Sequence, residues 1–165
     1  MELRILENGV LQIDNARIIF RNFSGAPSKF NKEGDRNFSL VIPNEDVADI
    51  LVNDKNDMGA GWNVKVKEAS EEGDLPLMHL KVKVKFNNRG PQVYLRTGDR
   101  VNRLDEETVG MLDDIDISYV NMDIRPYDDE INGKPFRSAY LQSIEVVQEI
   151  DRFAARYAEE ENPRE

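Results

Sequence analysis

Three lysines, Lys81, Lys83 and Lys85, occupy every second position of HLKVKVKF (79–86), in a chain whose formal net charge is -10. Alternate residues of an extended strand point to the same side. The spacing therefore builds a row of ammonium groups able to neutralise the phosphates of a polyanion. From Leu75 to Gly98 there is no acid, and Arg96 shares that window with the lysines. A second cationic group, Arg21, Lys29, Lys32 and Arg36, surrounds a loop containing Gly25, Pro27 and Gly34, and Lys65 stands in the alternating segment WNVKVKE. Aromatic residues are interleaved with these cations. Phe23 and Phe30 fall in the loop, whereas Tyr94 and Tyr127 are out of phase with their apolar neighbours or next to a turn. Single-stranded nucleic acid is bound by this pairing of parts, a cationic groove for the backbone and rings on which bases stack, each stack contributing about 1–3 kcal/mol. Trp62 and Phe86 share the phase of nearby valines and are read as core.

Other chemistry has little material. His79 is the one histidine and there is no cysteine, so neither the usual zinc ligands nor a nucleophile with its base can be assembled. The adjacent pairs Asp113/Asp114 and Asp128/Asp129 are poorly placed to share a magnesium ion, because neighbours on a strand point to opposite faces. No phosphate-cradling glycine motif or dinucleotide fingerprint occurs. The expectation is a non-enzymatic protein with no cofactor and no metal. MELRILENGV lacks the basic and apolar blocks of a secretory leader, no run of the sequence reaches membrane-spanning length, and a chain without cysteine suits a reducing interior; a cytoplasmic location is expected.

The elements that must position these residues are mostly strands. Residues 10–20 and 36–43 are rich in β-branched and aromatic side chains, and Asn44 followed by two acids opens a short helix. The alternation in 62–67, 79–86 and 92–97 predicts an antiparallel meander with an apolar face inward and a cationic face on water. Asp105 is placed to cap a second short helix. Two long strands follow, joined through DDEINGK, where Asn132-Gly133 is a strong hairpin signal. Ile150, Phe153, Ala154 and Tyr157 form one helical stripe before an acid-rich end. The fold class expected is mainly β, an OB-fold-like five-stranded Greek-key barrel with short helices and a C-terminal helix, because that fold binds oligonucleotides through one sheet face and two overhanging loops. The division expected is a binding domain over 1–149 and a helix with an acidic tail over 150–165.

Taken together, RIIFRNFSGAPSKFNKEGDRNFSLVIP (17–43), GWNVK (61–65), LDEETVGMLDDIDI (104–117), NMDIRPY (121–127) and AYLQSIEVV (139–147) resemble the phage-encoded single-stranded DNA-binding proteins of the OB-fold type. The resemblance implies a replication or recombination accessory that coats exposed single strands. It also implies an acidic tail that recruits partner proteins and competes with DNA, although AEEENPRE lacks the terminal aromatic or apolar residue many such tails carry. A homo-oligomer is compatible with it. Two competing readings are a protein-docking module of phage assembly or host inhibition, with lysines that only solvate a sheet, and a metal-dependent nuclease using the late acids.

Overall fold

The computed structural model describes residues 1–88, 90–153 and 156. Its strands are β1 (Glu2–Ile5), β2 (Leu11–Ala16), β3 (Ile18–Asn22), β4 (Arg36–Val41), β5 (Val64–Lys67), β6 (Leu77–Val84), β7 (Gln92–Thr97), β8 (Arg100–Leu104), β9 (Ile117–Ile131) and β10 (Lys134–Gln148). One α-helix, α1 (Glu45–Asn53), and one 3₁₀ turn, Val109–Asp113, complete the described elements. The fold is mainly β. The main hydrogen-bonded path runs β1-β2-β9-β10-β6-β4-β3, and β2 is separated from β3 only by Arg17.

β10 organises this sheet. It pairs antiparallel with β9 along its whole length, and on its other edge it pairs in parallel first with β6 and then with β7. Its alternation sends Ala139, Leu141, Ile144 and Val146 into the core with Val120, Met122 and Ile124 of β9. Leu80, Val82 and Val84 of β6 and Phe38 and Leu40 of β4 meet them from neighbouring strands. The β9–β10 turn is Asn132-Gly133, with φ of +53° and +78°. Those values fit a two-residue hairpin turn whose twist matches the strands. The ladder continues to Ile131 and Lys134, so DDEINGK is paired strand and a tight turn and forms no loop overhanging the sheet.

The expected meander is corrected in the same region. β6 is antiparallel to β5 and β4, but β6 and β7 do not pair with each other; β7 takes β8 as its antiparallel neighbour. The turn between β6 and β7, bridged at Asn87 and Gly90, carries the chain onward alongside β10 instead of reversing it against β6. Alternation specifies the face of a strand and is silent about its neighbour.

α1 forms where the sequence places it. Asn44 accepts the Val47 N–H at 2.9 Å, Glu45 and Asp46 occupy the first turn, and Ala48 and Leu51 are buried. Its end is tied down: the Leu51 carbonyl accepts Trp62 N–H at 3.2 Å, an approach that a side chain at Gly61 would block by colliding with the Val52 carbonyl. The second helix is shorter than expected. Asp105 accepts the N–H groups of Glu107 and Thr108, yet only the 3₁₀ turn follows, because Arg21 draws on the Leu112 and Ile115 carbonyls and Asp113 receives the N–H groups of Phe23 and Ser24. Of the C-terminal stripe, Ile150 and Phe153 are exposed, and Ala154 and Tyr157 lie outside the described residues, as does the acidic end. Among the described residues, no helix is long and apolar enough to cross a membrane.

Arg137 connects the helix to the long hairpin. Its side chain is 8% exposed and its guanidinium donates to both Asp128 carboxylate oxygens, at 2.7 and 3.1 Å, and to the Asp54 carbonyl at 2.8 Å. It also lies 5.1 Å from the Trp62 ring, whose indole N–H donates to Asp54. Removing one partner of a buried pair costs about 3–5 kcal/mol because the other charge is stranded; Asp128 is 31% exposed, so Asp128→Asn is expected to cost about 2 kcal/mol, read as a lower urea midpoint with unchanged m-value. The hydrogen bond from Arg137 holds the Asp128 carboxyl below the ordinary carboxylate range. Its contribution is therefore present in full above about pH 4 and lost as pH falls through the depressed folded-state value. The variant should show a shallower loss of stability on acidification than the native chain.

Candidate nucleic-acid interface

The face of the sheet opposite the core is where the lysine strand points. Lys81, Lys83 and Lys85 are exposed while Leu80, Val82 and Val84 between them are buried. On β5, Lys65 pairs with His79 and Lys67 with Leu77, which puts both lysines on the same outward side. Across the sheet at the level of Lys83 stand Asn37 of β4, Tyr140 of β10 and Arg125 of β9. Lys83 Nζ lies 5.7 Å from the Tyr140 ring centroid and the Arg125 guanidinium 5.4 Å from it, so one ring is flanked by two cations. Tyr127, one step along β9, packs edge-on against Tyr140 with centroids 5.9 Å apart and is 49% exposed.

Towards β3 the face ends in a further aromatic, Phe20. Phe20 has φ of +52° and stands where the β3–β4 register shifts. A positive φ is uncommon for a bulky residue, and a bulge re-aims side chains. Here the ring is 54% exposed and packs edge-on against His79 at 5.4 Å. Partial burial, followed by the charges of Lys65 and Lys67, lowers the His79 pKa, and Nδ1 lies 3.1 Å from the Ser39 hydroxyl.

The loop between β3 and β4 is preorganised beside this face. Asn31 donates to the Ala26 and Asp35 carbonyls and its own carbonyl oxygen accepts from Asn37, at 2.9 Å, on the strand residue paired with Lys83. Gly25, at φ of +70°, lets the loop ends approach so that Gly34 N–H reaches its carbonyl at 2.8 Å. Phe30 projects 90% exposed with the Lys29 ammonium 5.7 Å from its ring, and Lys32 is exposed nearby in the chain.

The structure thus gathers Lys65, Lys81, Lys83, Lys85 and Tyr127 on one face and sets Lys29, Phe30 and Lys32 in the adjoining loop. The other sequence candidates have different roles. Phe23 is fully buried, stacked on Phe38 with centroids 5.1 Å apart, and is core, not a stacking platform. Arg21 holds the 3₁₀ turn, as above. Arg36 donates to the Phe23 and Glu106 carbonyls, pairs with the Glu106 carboxylate at 3.5 Å and lies over the Phe86 ring. Arg96 pairs with Glu145 at 3.1 Å. Tyr94, paired in the ladder with Glu145, sits where the face turns acidic. Sequence reasoning left out Lys67, Phe20, Arg125 and Tyr140. For Arg125 and Tyr140 a signal existed, since both alternate with buried residues; the Phe20 bulge had none.

A family model described as "Putative phage ssDNA-binding domain" matches residues 3–163. The chain belongs to that phage ssDNA-binding family. No curated protein matches it. Among solved structures, the single-stranded DNA-binding protein from bacteriophage Enc34 is similar in fold at 16% identity, with a TM-score of 0.53 and 93% of each chain covered. The same protein in complex with ssDNA is similar at 13% identity, with a TM-score of 0.53 over 92% of this chain and 93% of that one. Its C-terminal truncation is similar at 15% identity, with a TM-score of 0.50 over 90% and 91%. Among the described residues no group of three or more histidine or carboxylate side chains could hold a metal ion.

The two loop phenylalanines provide a direct contrast. Phe23→Ala should lower stability by about 3–5 kcal/mol, the cost of emptying a buried aromatic site, while Phe30→Ala, at an exposed ring, should change it by less than about 0.5 kcal/mol. Urea unfolding of both variants measures the difference.

Proposed function

We propose that this chain binds single-stranded DNA, with little regard to sequence, across the outward face of β4, β6, β10 and β9, as a non-enzymatic coat of exposed strands in phage DNA replication or recombination. The observation that carries the reading is the Tyr140 ring with Lys83 and Arg125 against it, set in a row of exposed lysines and joined edge-on to Tyr127. Bases stack on such rings while the cations follow the phosphates. Membership of the phage ssDNA-binding family supports the choice of ligand. Lys65, Lys67, Lys81 and Lys85 extend the phosphate path, and Phe20 and Phe30 are further stacking surfaces at its margins.

The finer architecture in this reading is an OB fold, with β2 and β3 as one bent first strand followed by β4, β6, β9 and β10. Its support is the order β2-β9-β10-β6-β4-β3, in which β6 runs parallel to β10, together with the single residue that joins the two ends of that path. Such a barrel offers one sheet face and its loops to nucleic acid. Residues 1–149 would be the binding domain and 150–165 a tail that recruits partner proteins and competes for the groove, at work in the host cytoplasm.

Fluorescence anisotropy with labelled oligo-dT, oligo-U and duplex tests the reading: tight binding to oligo-dT is expected, with the probe left intact in magnesium. Absence of binding to all three favours protein docking, and shortening of the probe favours a nuclease. Changing Lys81, Lys83 and Lys85 together to Ser should reduce the log–log salt slope by about 2, at about 0.7 per lost phosphate contact. Tyr140→Ala should weaken binding by about 1–3 kcal/mol with a nearly unchanged slope. A triple variant with the native slope removes β6 from the path.

A further inference from the structure

β1, β3, β5 and β8 each have an edge with no neighbouring strand among the described residues. An open edge invites pairing with another chain unless charge or irregularity blocks it. All but β1 are blocked. β5 carries Lys65 and Lys67, β8 carries Arg100 and Arg103, and β3 loses register between Ile19 and Asn22 and is held to the 3₁₀ turn by Arg21. β1, ELRI (2–5), instead carries one charge of each sign. Leu6 N–H, just beyond β1, donates to the Val10 carbonyl at 2.9 Å, and bonded pairs alternate along an antiparallel ladder. In the β1–β2 register, Glu2 and Arg4 therefore turn their backbone groups to β2, and Leu3 and Ile5 turn theirs to the open edge.

We propose that β1 is a self-pairing edge, which joins two copies of this chain antiparallel about Leu3 into a two-fold dimer. In that register Leu3 exchanges both backbone bonds with Leu3 of the second copy, and Met1 lies opposite Ile5. Glu2 falls opposite Arg4 of the second copy, twice, at the non-hydrogen-bonded positions where facing side chains come closest. Both charges are exposed and neither has an ion pair among the described residues. Within its own sheet Glu2 faces Asp14, an unfavourable like-charge pairing that Arg4 of the second copy offsets. Ile5, 39% exposed, and Met1 and Leu3, partly buried against the core, gain cover from their counterparts. A two-fold contact uses the same patch on both copies and closes at two. This one is short, so the association is reversible and weaker than that of an obligate dimer. It does not depend on the single-stranded DNA reading, because β1 lies at the margin of the sheet with β2 between it and β9.

Sedimentation equilibrium of the full chain without DNA tests the pairing, with Glu2→Arg and Arg4→Glu as variants. Both positions are exposed, so the variants should fold, and thermal unfolding verifies that they do. The native chain should show a monomer–dimer equilibrium with a dissociation constant of about 100 μM or tighter, in keeping with a short contact. Each variant alone should raise that constant about tenfold or more, since two attractive pairs become repulsive. An equimolar mixture of the two variants sets arginine opposite glutamate at both places and should dimerise as the native chain does. A native chain that stays monomeric, single variants that dimerise like it, or a mixture that fails to dimerise would overturn the pairing and leave the strand-binding reading intact.

Discussion

The strand Lys134–Gln148 is the constraint on which the rest of the molecule depends. It pairs with β9 on one edge and with β6 and then β7 on the other, so its alternation sets the phase for both sides of the sheet. Shifting any partner by one residue would exchange core and surface side chains along that strand. With the register as it is, Leu141 and Ile144 lie in the core, while Tyr140 meets Lys83 and Arg125 outside. The bulge after Leu141 and the parallel step from β6 to β7 shape the far end of the face.

Charge follows the same partition. The lysines of β5 and β6 share the outward side of the sheet, and burial, followed by the charges of Lys65 and Lys67, lowers the His79 pKa. Acids return to the outward side further along β10, where Glu145 pairs with Arg96 and accepts from Asn121. The net charge of -10 is therefore compatible with a local cationic surface. An acidic remainder discourages adhesion to nucleic acid outside that surface. Arg137, by contrast, is a cation of the interior, enclosed by Asp128, Asp54 and Trp62, and joins α1 to the hairpin.

Local chemistry was legible in the sequence wherever it sufficed. Period-two alternation located β5, β6 and β7 and the outward direction of the lysines on β5 and β6, Asn44 announced α1, and Asn132-Gly133 announced the long hairpin. Features that depend on a distant partner were not legible. Phe23 reads as a loop residue until Phe38 is seen stacked on it, and Arg21 and Arg36 read as free cations until the carbonyls they serve come into view. The short edge strands β1 and β8 have too few apolar positions for a periodic signal, and β8 is exposed up to Leu104. Parallel pairing of β10 with β6 and β7 leaves no mark on either strand. Phe20 reaches the surface through a bulge that alternation does not encode.

Photocrosslinking addresses the central claim most directly, because it reports which side chains touch the bases. An oligo-dT carrying bromodeoxyuridine, irradiated on the full chain and followed by peptide mapping, should attach to Tyr140 and Tyr127, with lesser adducts at Phe30 and Phe20. Adducts confined to Tyr119, Tyr94 or the β8 edge, with none at Tyr140 or Tyr127, would place the strand elsewhere and contradict the account.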